Sequence, residues 1–520
     1  MFRGFIGGRA IAVLAVVSGV ACQATSLPPA TDSTSISRHA ATETFAAGLV
    51  SIHDKYIEPI ELAEVAMDGM RGLGSIDPAL SVSRDGRSIV LHSSNNRLAE
   101  FNAPVADDVK AWAAVTADVF MTGRDSSPDL RTSTIERVYQ AVFDGAMSKL
   151  DSYSRYAGAE EAKSNRAKRD GFGGVGVRVR VKDGVVRIAE VVAKTPAFRA
   201  GIRRHDRITH IDGLPTMGLD RKRIDDRIRG PLKSQVVITV RRPGVAAPLR
   251  FDLQREHIVS PTTTAVHESG IALLRISKFN QDTARSLHEK MQKLSKELGP
   301  ELKGIVLDLR GNPGGLLKQA VRVADLFLAQ GDIINTRGRH PDSLQHYEAG
   351  GHDIAIGLPM AVLIDGKSAS AAEIVAAALQ DRGRAVLVGT TSFGKGTVQT
   401  VLRLPNEGEI TITWSRLLAP SGYALHKLGI RPSVCTSGTN DDGDGVPAVL
   451  AGADNNARAH AAWRAVALKD LDGRLDLREA CPAERRRSSF DIAVARSLLE
   501  DWTLYSRLLG HPGATAAADD

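Results

Sequence analysis

Met360-Ala-Val-Leu-Ile364-Asp-Gly-Lys367-Ser368-Ala-Ser370-Ala-Ala-Glu373-Ile374-Val-Ala-Ala-Ala-Leu-Gln380 reads as a strand, a turn and a helix. The unbroken apolar run 360–364 suits a strand buried on both faces. Ser370-Ala-Ala-Glu373 has the spacing of a capping box that opens an apolar helix. Outward from here, strand patterns at 271–276, 304–309 and 385–388 alternate with helical patterns at 281–298 and 316–329. That rhythm predicts an α/β core over residues 257–435.

The same turn is a place for chemistry. A serine at a helix N-terminus presents its hydroxyl where partial positive charge favours an oxyanion. Lys395 and Gln399 follow in Phe393-Gly394-Lys395-Gly396-Thr397-Val398-Gln399. A lysine serves as general base for a hydroxyl once burial lowers its pKa from about 10.4 toward about 7–8. Residues 398–405 read as a strand, which places Lys395, Thr397 and Gln399 on one face and Val398 on the other. Gln399 is then expected to hold the Lys395 amine without adding charge. Ser368 is the rival serine. Gly389 to Lys395 also matches most of a phosphate-binding P-loop, but Gly396 stands where Ser or Thr is needed and a strand follows instead of a helix.

Length and composition set the frame. The chain has 520 residues, 43% hydrophobic and 24% charged, with net charge +7. It is long enough for several globular domains. The basic residues are scattered and no nucleic-acid signature is present. Residues 42–165 look mainly helical, with Phe45, Leu49, Ile52 and Tyr56 at helical spacing and a hairpin around Asp85-Gly86. Val65–Met70 and Val142–Met147 look alike. Residues 170–256 carry short β-rich runs. A C-terminal extension, 436–520, has helical patterns near 457–470 and 490–508.

The N-terminus, 1–24, reads as an export signal: Arg3 and Arg9 precede an apolar stretch too short to span a bilayer. Cys22 follows Gly19-Val20-Ala21, so two readings stand: lipidation at Cys22, from whose usual box Gly19 departs, or ordinary cleavage near Ala21 or Ala24. Residues 25–40 read as a Pro/Ser/Thr-rich tether. Export favours pairing of Cys435 with Cys481 over two free thiols. His205, His267, His288 and His426 show no metal-ligand spacing, and neither metal nor other cofactor is expected.

Over roughly residues 138–435 the chain resembles the carboxyl-terminal processing peptidases, serine proteases with a Ser/Lys pair and an inserted PDZ domain. The resemblance rests on Leu150-Asp151-Ser152-Tyr153-Ser154, Gly171-Phe172-Gly173-Gly174-Val175-Gly176, Thr195-Pro196-Ala197 and Asp206-Arg207-Ile208. It continues through Leu307–Gly315, the Ser370 and Lys395 motifs, and Gly429-Ile430-Arg431-Pro432. His205 and Ser433 depart from the family pattern.

The resemblance implies a multidomain α/β protein: helical N-terminal region, PDZ domain, crotonase/ClpP-like protease core and helical extension. Ser370 would be nucleophile, Lys395 general base and Gln399 its partner. The oxyanion hole would pair the N–H of Ala371 with that of Gly314 or Gly315. Gly173, Gly174, Val175 and Gly176 would bind a substrate's C-terminal carboxylate. The expected activity is serine endopeptidase acting on protein C-termini in the periplasm or cell envelope. A homo-oligomer, an adaptor protein and a lipid anchor are further partner expectations. The alternative function is an inactive PDZ scaffold.

Overall fold

The computed structural model describes residues 37–94, 96–439, 445–453, 457–485 and 489–509. The expected signal segment, Cys22 and most of the expected tether lie outside the described residues.

The helical region begins with Arg38–Lys55, whose Phe45, Leu49 and Ile52 are buried as their spacing predicts; Tyr56, also buried, lies just past the helix end. The hairpin at Gly86 gains a third strand: Leu80–Asp85, Ser88–Ser93 and Asn96–Asn102 form one antiparallel sheet. The two look-alike segments lie on helices Leu62–Arg71 and Ile135–Met147, which cross closely. A Cβ at Gly145 would sit 2.3 Å from the Asp68 carbonyl oxygen, so only glycine permits this approach.

Strands Val177–Lys182, Val185–Val191, Arg207–Ile211, Gln235–Arg241 and Leu249–Gln254 make an antiparallel sheet with Val177–Lys182 at its edge. Val179, Val186, Ile188, Ile208 and Ile238 form its core, covered by helix Arg221–Ile228 through Ile224 and Ile228. His205 has φ 73°, a left-handed conformation that favours glycine.

In the α/β core Ile271–Ile276, Gly304–Asp308, Met360–Ile364, Val386–Gly389 and Val434–Cys435 run parallel in that order. Both faces are covered, which is why 304–307 and 360–364 are apolar without alternation. Helices Thr283–Leu298, Leu317–Asp325 and Ala371–Asp381 pack one face. The helix expected over 316–329 ends at Asp325, and Leu326–Leu328 turn into the core instead.

The C-terminal extension covers the other face. Val494, Ala495, Leu498 and Leu499 of helix Ser489–Glu500 pack on Val306, Ala361, Leu363, Val386 and Val388. Cys435 and Cys481 form a disulfide that ties the extension to the last core strand. A second sheet, with Glu409–Leu418 between Thr397–Arg403 and Asp332–Arg337, stands beside the Ser370 turn.

Among the described residues no helix is long and apolar enough to cross a membrane.

Candidate active site

Ser370 sits between Met360–Ile364 and helix Ala371–Asp381 with φ 54° and ψ −112°. That conformation is costly for a residue with a side chain and marks a position held by its surroundings. Glu373 does much of the holding. Its Oε2 accepts from the Ser370 N–H at 2.7 Å and from the Lys395 N–H at 2.9 Å. Its Oε1 accepts from the Gly394 N–H at 2.7 Å and the Ser392 hydroxyl at 2.5 Å. Burial pushes the Glu373 carboxyl up, against these donors, which hold it down. Ser368 is excluded as a rival: it is fully buried, and its hydroxyl donates to the Leu309 carbonyl at 2.9 Å while accepting from Asp365 N–H.

Ser370, Lys395 and Gln399 line one cleft of about 390 Å³ together with Gly314 and Gly315. The Lys395 amine lies over the Tyr153 ring, 4.7 Å from its centre. No hydrogen bond joins it to Ser370 or Gln399 in this arrangement. Burial pushes its pKa down, the Arg155 charge pushes it further, and Asp151 and Glu373 oppose. The expected alternation along 395–399 fails because a β-bulge falls between Val398 and Gln399. Val398 therefore lines the cleft beside Gln399. The Gln399 amide donates instead to the Thr397 and Thr413 hydroxyls at 3.0 and 3.2 Å. Thr413 in turn donates to Asp151 at 2.9 Å. Lys395 is followed by a strand, Thr397–Arg403, so the glycine run before it opens no phosphate-binding helix.

The glycine turn lies against the serine. A Cβ at Gly314 would sit 2.9 Å from the Ser370 Cβ. The Gly314 N–H is taken by the Asn312 side chain at 2.9 Å. The N–H groups of Gly315 and Ala371 have no hydrogen-bond partner among the described residues. Phe279, past the end of Ile271–Ile276, fixes the turn by bonding the Gly314 carbonyl and the Leu316 N–H, each at 3.0 Å.

The model of peptidase family S41 matches residues 270–435, and that of a PDZ domain matches residues 187–242. The carboxy-terminal-processing protease of Bartonella bacilliformis is 37% identical over 301 residues, 58% of this chain and 69% of that protein.

This chain belongs to the carboxy-terminal-processing proteases.

Carboxy-terminal processing protease CtpB of Bacillus subtilis is 33% identical over 306 residues, 58% of this chain and 63% of that protein. The carboxyl-terminal-processing protease of Synechocystis is 32% identical over 305 residues, 57% of this chain and 70% of that protein. The chain is thus a serine peptidase with a PDZ domain on a multidomain α/β frame.

In the PDZ domain of this protease the expected carboxylate loop divides. Gly173 and Gly174 pair with His257 and Glu256 in a short ladder, and Val175 is fully buried. Gly176 lines a groove of about 150 Å³ with Val177, Val192, Arg221, Ile228 and Arg229. Arg221, held by Asp225 at 2.9 Å, donates to the Val179 carbonyl of the edge strand at 2.5 Å.

Sequence reasoning assigned Glu373 only a cap and gave no role to Asp151, Tyr153 or Thr413, although Asp151 and Tyr153 lie in a motif it singled out. It missed Arg478 entirely. From helix Leu471–Glu479, Arg478 donates to the Ser392 carbonyl at 3.0 Å and to that of Leu428, and Arg474 bonds the carbonyls of Ala424 and His426. The extension thus braces the loop that carries Lys395. Deeper in the core, Asp491 pairs with Arg310 at 2.9 Å beside the glycine turn.

Asp332, His346 and Glu348 bring potential metal-ligating atoms within 4.8 Å of one another, on paired strands outside the cleft.

Proposed function

We propose that the protease is an exported endopeptidase that recognises protein C-termini through its PDZ domain and cuts by a Ser/Lys mechanism. Ser370 Oγ attacks the scissile carbonyl carbon and gives its proton to Lys395 Nζ. The N–H groups of Ala371 and Gly315 receive the oxyanion; one such donor is worth about 10²–10³ in rate. Gly315 is preferred to Gly314, whose N–H Asn312 already holds. Lys395 then protonates the leaving amine, and water activated by the same amine releases the acyl group from Ser370. Gln399 keeps its place through Thr413 and Asp151, next to the Tyr153 ring beneath Lys395. The amine and hydroxyl close to hydrogen-bond distance when substrate enters, as unliganded catalytic pairs often require.

The observation that carries this reading is the sharing of one Glu373 oxygen by the backbones of Ser370 and Lys395 in a single cleft. The N-terminal signal, with or without a lipid on Cys22, would deliver the enzyme to the periplasm or envelope; the mass of the mature N-terminus distinguishes the two forms. Cleavage of a protein with a free and an amidated C-terminus tests the function. The free form is cut at an internal bond, the amidated form several-fold more slowly, and Ser370→Ala cuts neither. Equal rates on both forms, unchanged on removing residues 171–253, would rule out PDZ recognition.

A further inference from the structure

The cleft around Ser370 is charged in one sense only. Arg155, Lys168, Arg169 and Lys278 line it in addition to Lys395, and no Asp or Glu does. Arg169 is answered by Glu409 at 3.2 Å. The side chains of Arg155, Lys168 and Lys278 have no ion-pair or hydrogen-bond partner among the described residues.

Two of these cations flank the glycine turn. Lys278 immediately precedes Phe279, the residue that bonds Gly314 and Leu316. Lys168 lies in the last turn of helix Ala159–Asp170, and that helix end is tied to the same segment by the Gln281 N–H to the Arg169 carbonyl at 3.2 Å. Burial pushes the Lys278 amine down, and the neighbouring Lys168 charge adds to it. Both lysines are exposed where they line the cleft, and an anion that enters offsets the repulsion between them. In a peptide substrate the common anion is a carboxylate.

We infer that Lys168 and Lys278 form a carboxylate-binding subsite of the catalytic cleft, so that the protease favours substrates with a carboxylate close to the scissile bond. The carboxylate comes either from an acidic side chain or from the chain terminus. The inference rests on the reading of Ser370 as nucleophile.

Two sets of short fluorogenic peptides test it. One set places Glu or Gln at each position around the cut; the other carries a free or amidated terminus a few residues beyond it. The expected result is a kcat/KM ratio of about tenfold or more in favour of the carboxylate in one set, the size of a charge-assisted contact. A preference in the first set identifies a side chain, in the second a terminus. In the folded Lys168→Gln/Lys278→Gln variant that ratio falls toward one. In Lys168→Glu/Lys278→Glu, Lys at the sensitive side-chain position, or an amidated terminus, becomes the better substrate. Ratios near one in both sets for the native enzyme, or a ratio unmoved by either variant, overturn the subsite. Cleavage surviving in Ser370→Ala would instead overturn the Ser/Lys reading, whatever the ratios show.

Discussion

The backbone N–H groups of Ser370 and Lys395 end on the same oxygen of Glu373, at 2.7 and 2.9 Å. The proposed nucleophile and general base are thereby positioned by one buried carboxylate that takes no part in the proposed bond making. Glu373→Gln replaces one acceptor oxygen by an amide NH2 that faces donors. Each donor left unpaired costs about 1–3 kcal/mol. The expected result is a fall in kcat of about tenfold to a hundredfold with a smaller change in KM, and a lowered Tm. Steady-state kinetics with thermal melts check it; unchanged kcat would mean that Glu373 is only a helix cap.

The pH profile follows from Lys395. Its amine is pulled below the ordinary lysine value by burial and by Arg155, and in the proposed mechanism the neutral form is the base. Activity therefore rises with pH through the lowered lysine pKa and then levels. Arg155→Gln removes a cation that favours the neutral amine, so the inflection of kcat moves to higher pH. Movement to lower pH, or none, contradicts this electrostatic account.

Arg221 occupies the Val179 carbonyl on the open edge of the PDZ sheet. A peptide that adds a strand to this edge must displace that bond. Arg221→Ala is expected to tighten binding of C-terminal peptides by about two- to tenfold, the worth of one ordinary hydrogen bond. Fluorescence anisotropy measures it; weaker binding would make Arg221 a ligand contact instead.

The disulfide between Cys435 and Cys481 closes a loop with a sequence separation of 46 and holds the helix that ends near Arg478. Replacing both cysteines by serine is expected to cost about 2–4 kcal/mol. Arg478→Ala should lower kcat more than stability, because it frees the Ser392 and Leu428 carbonyls beside Lys395. Denaturant unfolding and kcat measured together separate the two effects.

Much of this was legible in the chain. The buried strands showed as unbroken apolar runs, the helix over 371–380 as a capped apolar segment, and the PDZ sheet as short β-rich runs. Three things were not. Period-two alternation cannot foresee the bulge after Val398, which brings Val398 and Gln399 into one cleft. An amphipathic pattern over 490–508 predicts a buried face but not that the face covers the core sheet. Arg474 and Arg478 look like solvated charges in a basic sequence, and only their carbonyl partners, about fifty residues away, reveal a brace. The left-handed φ of 73° at His205, a conformation that favours glycine, is equally hidden from a sequence that places histidine there.

Lys395 as the base for Ser370 is the step on which the proposed mechanism turns. Its most direct test is the kcat of Lys395→Ala and Lys395→Arg on a protein substrate, with Tm recorded for each. Both variants are expected to fold and to show no measurable cleavage, the arginine variant failing because its guanidinium stays protonated. Cleavage by Lys395→Ala at or near the native rate would contradict it.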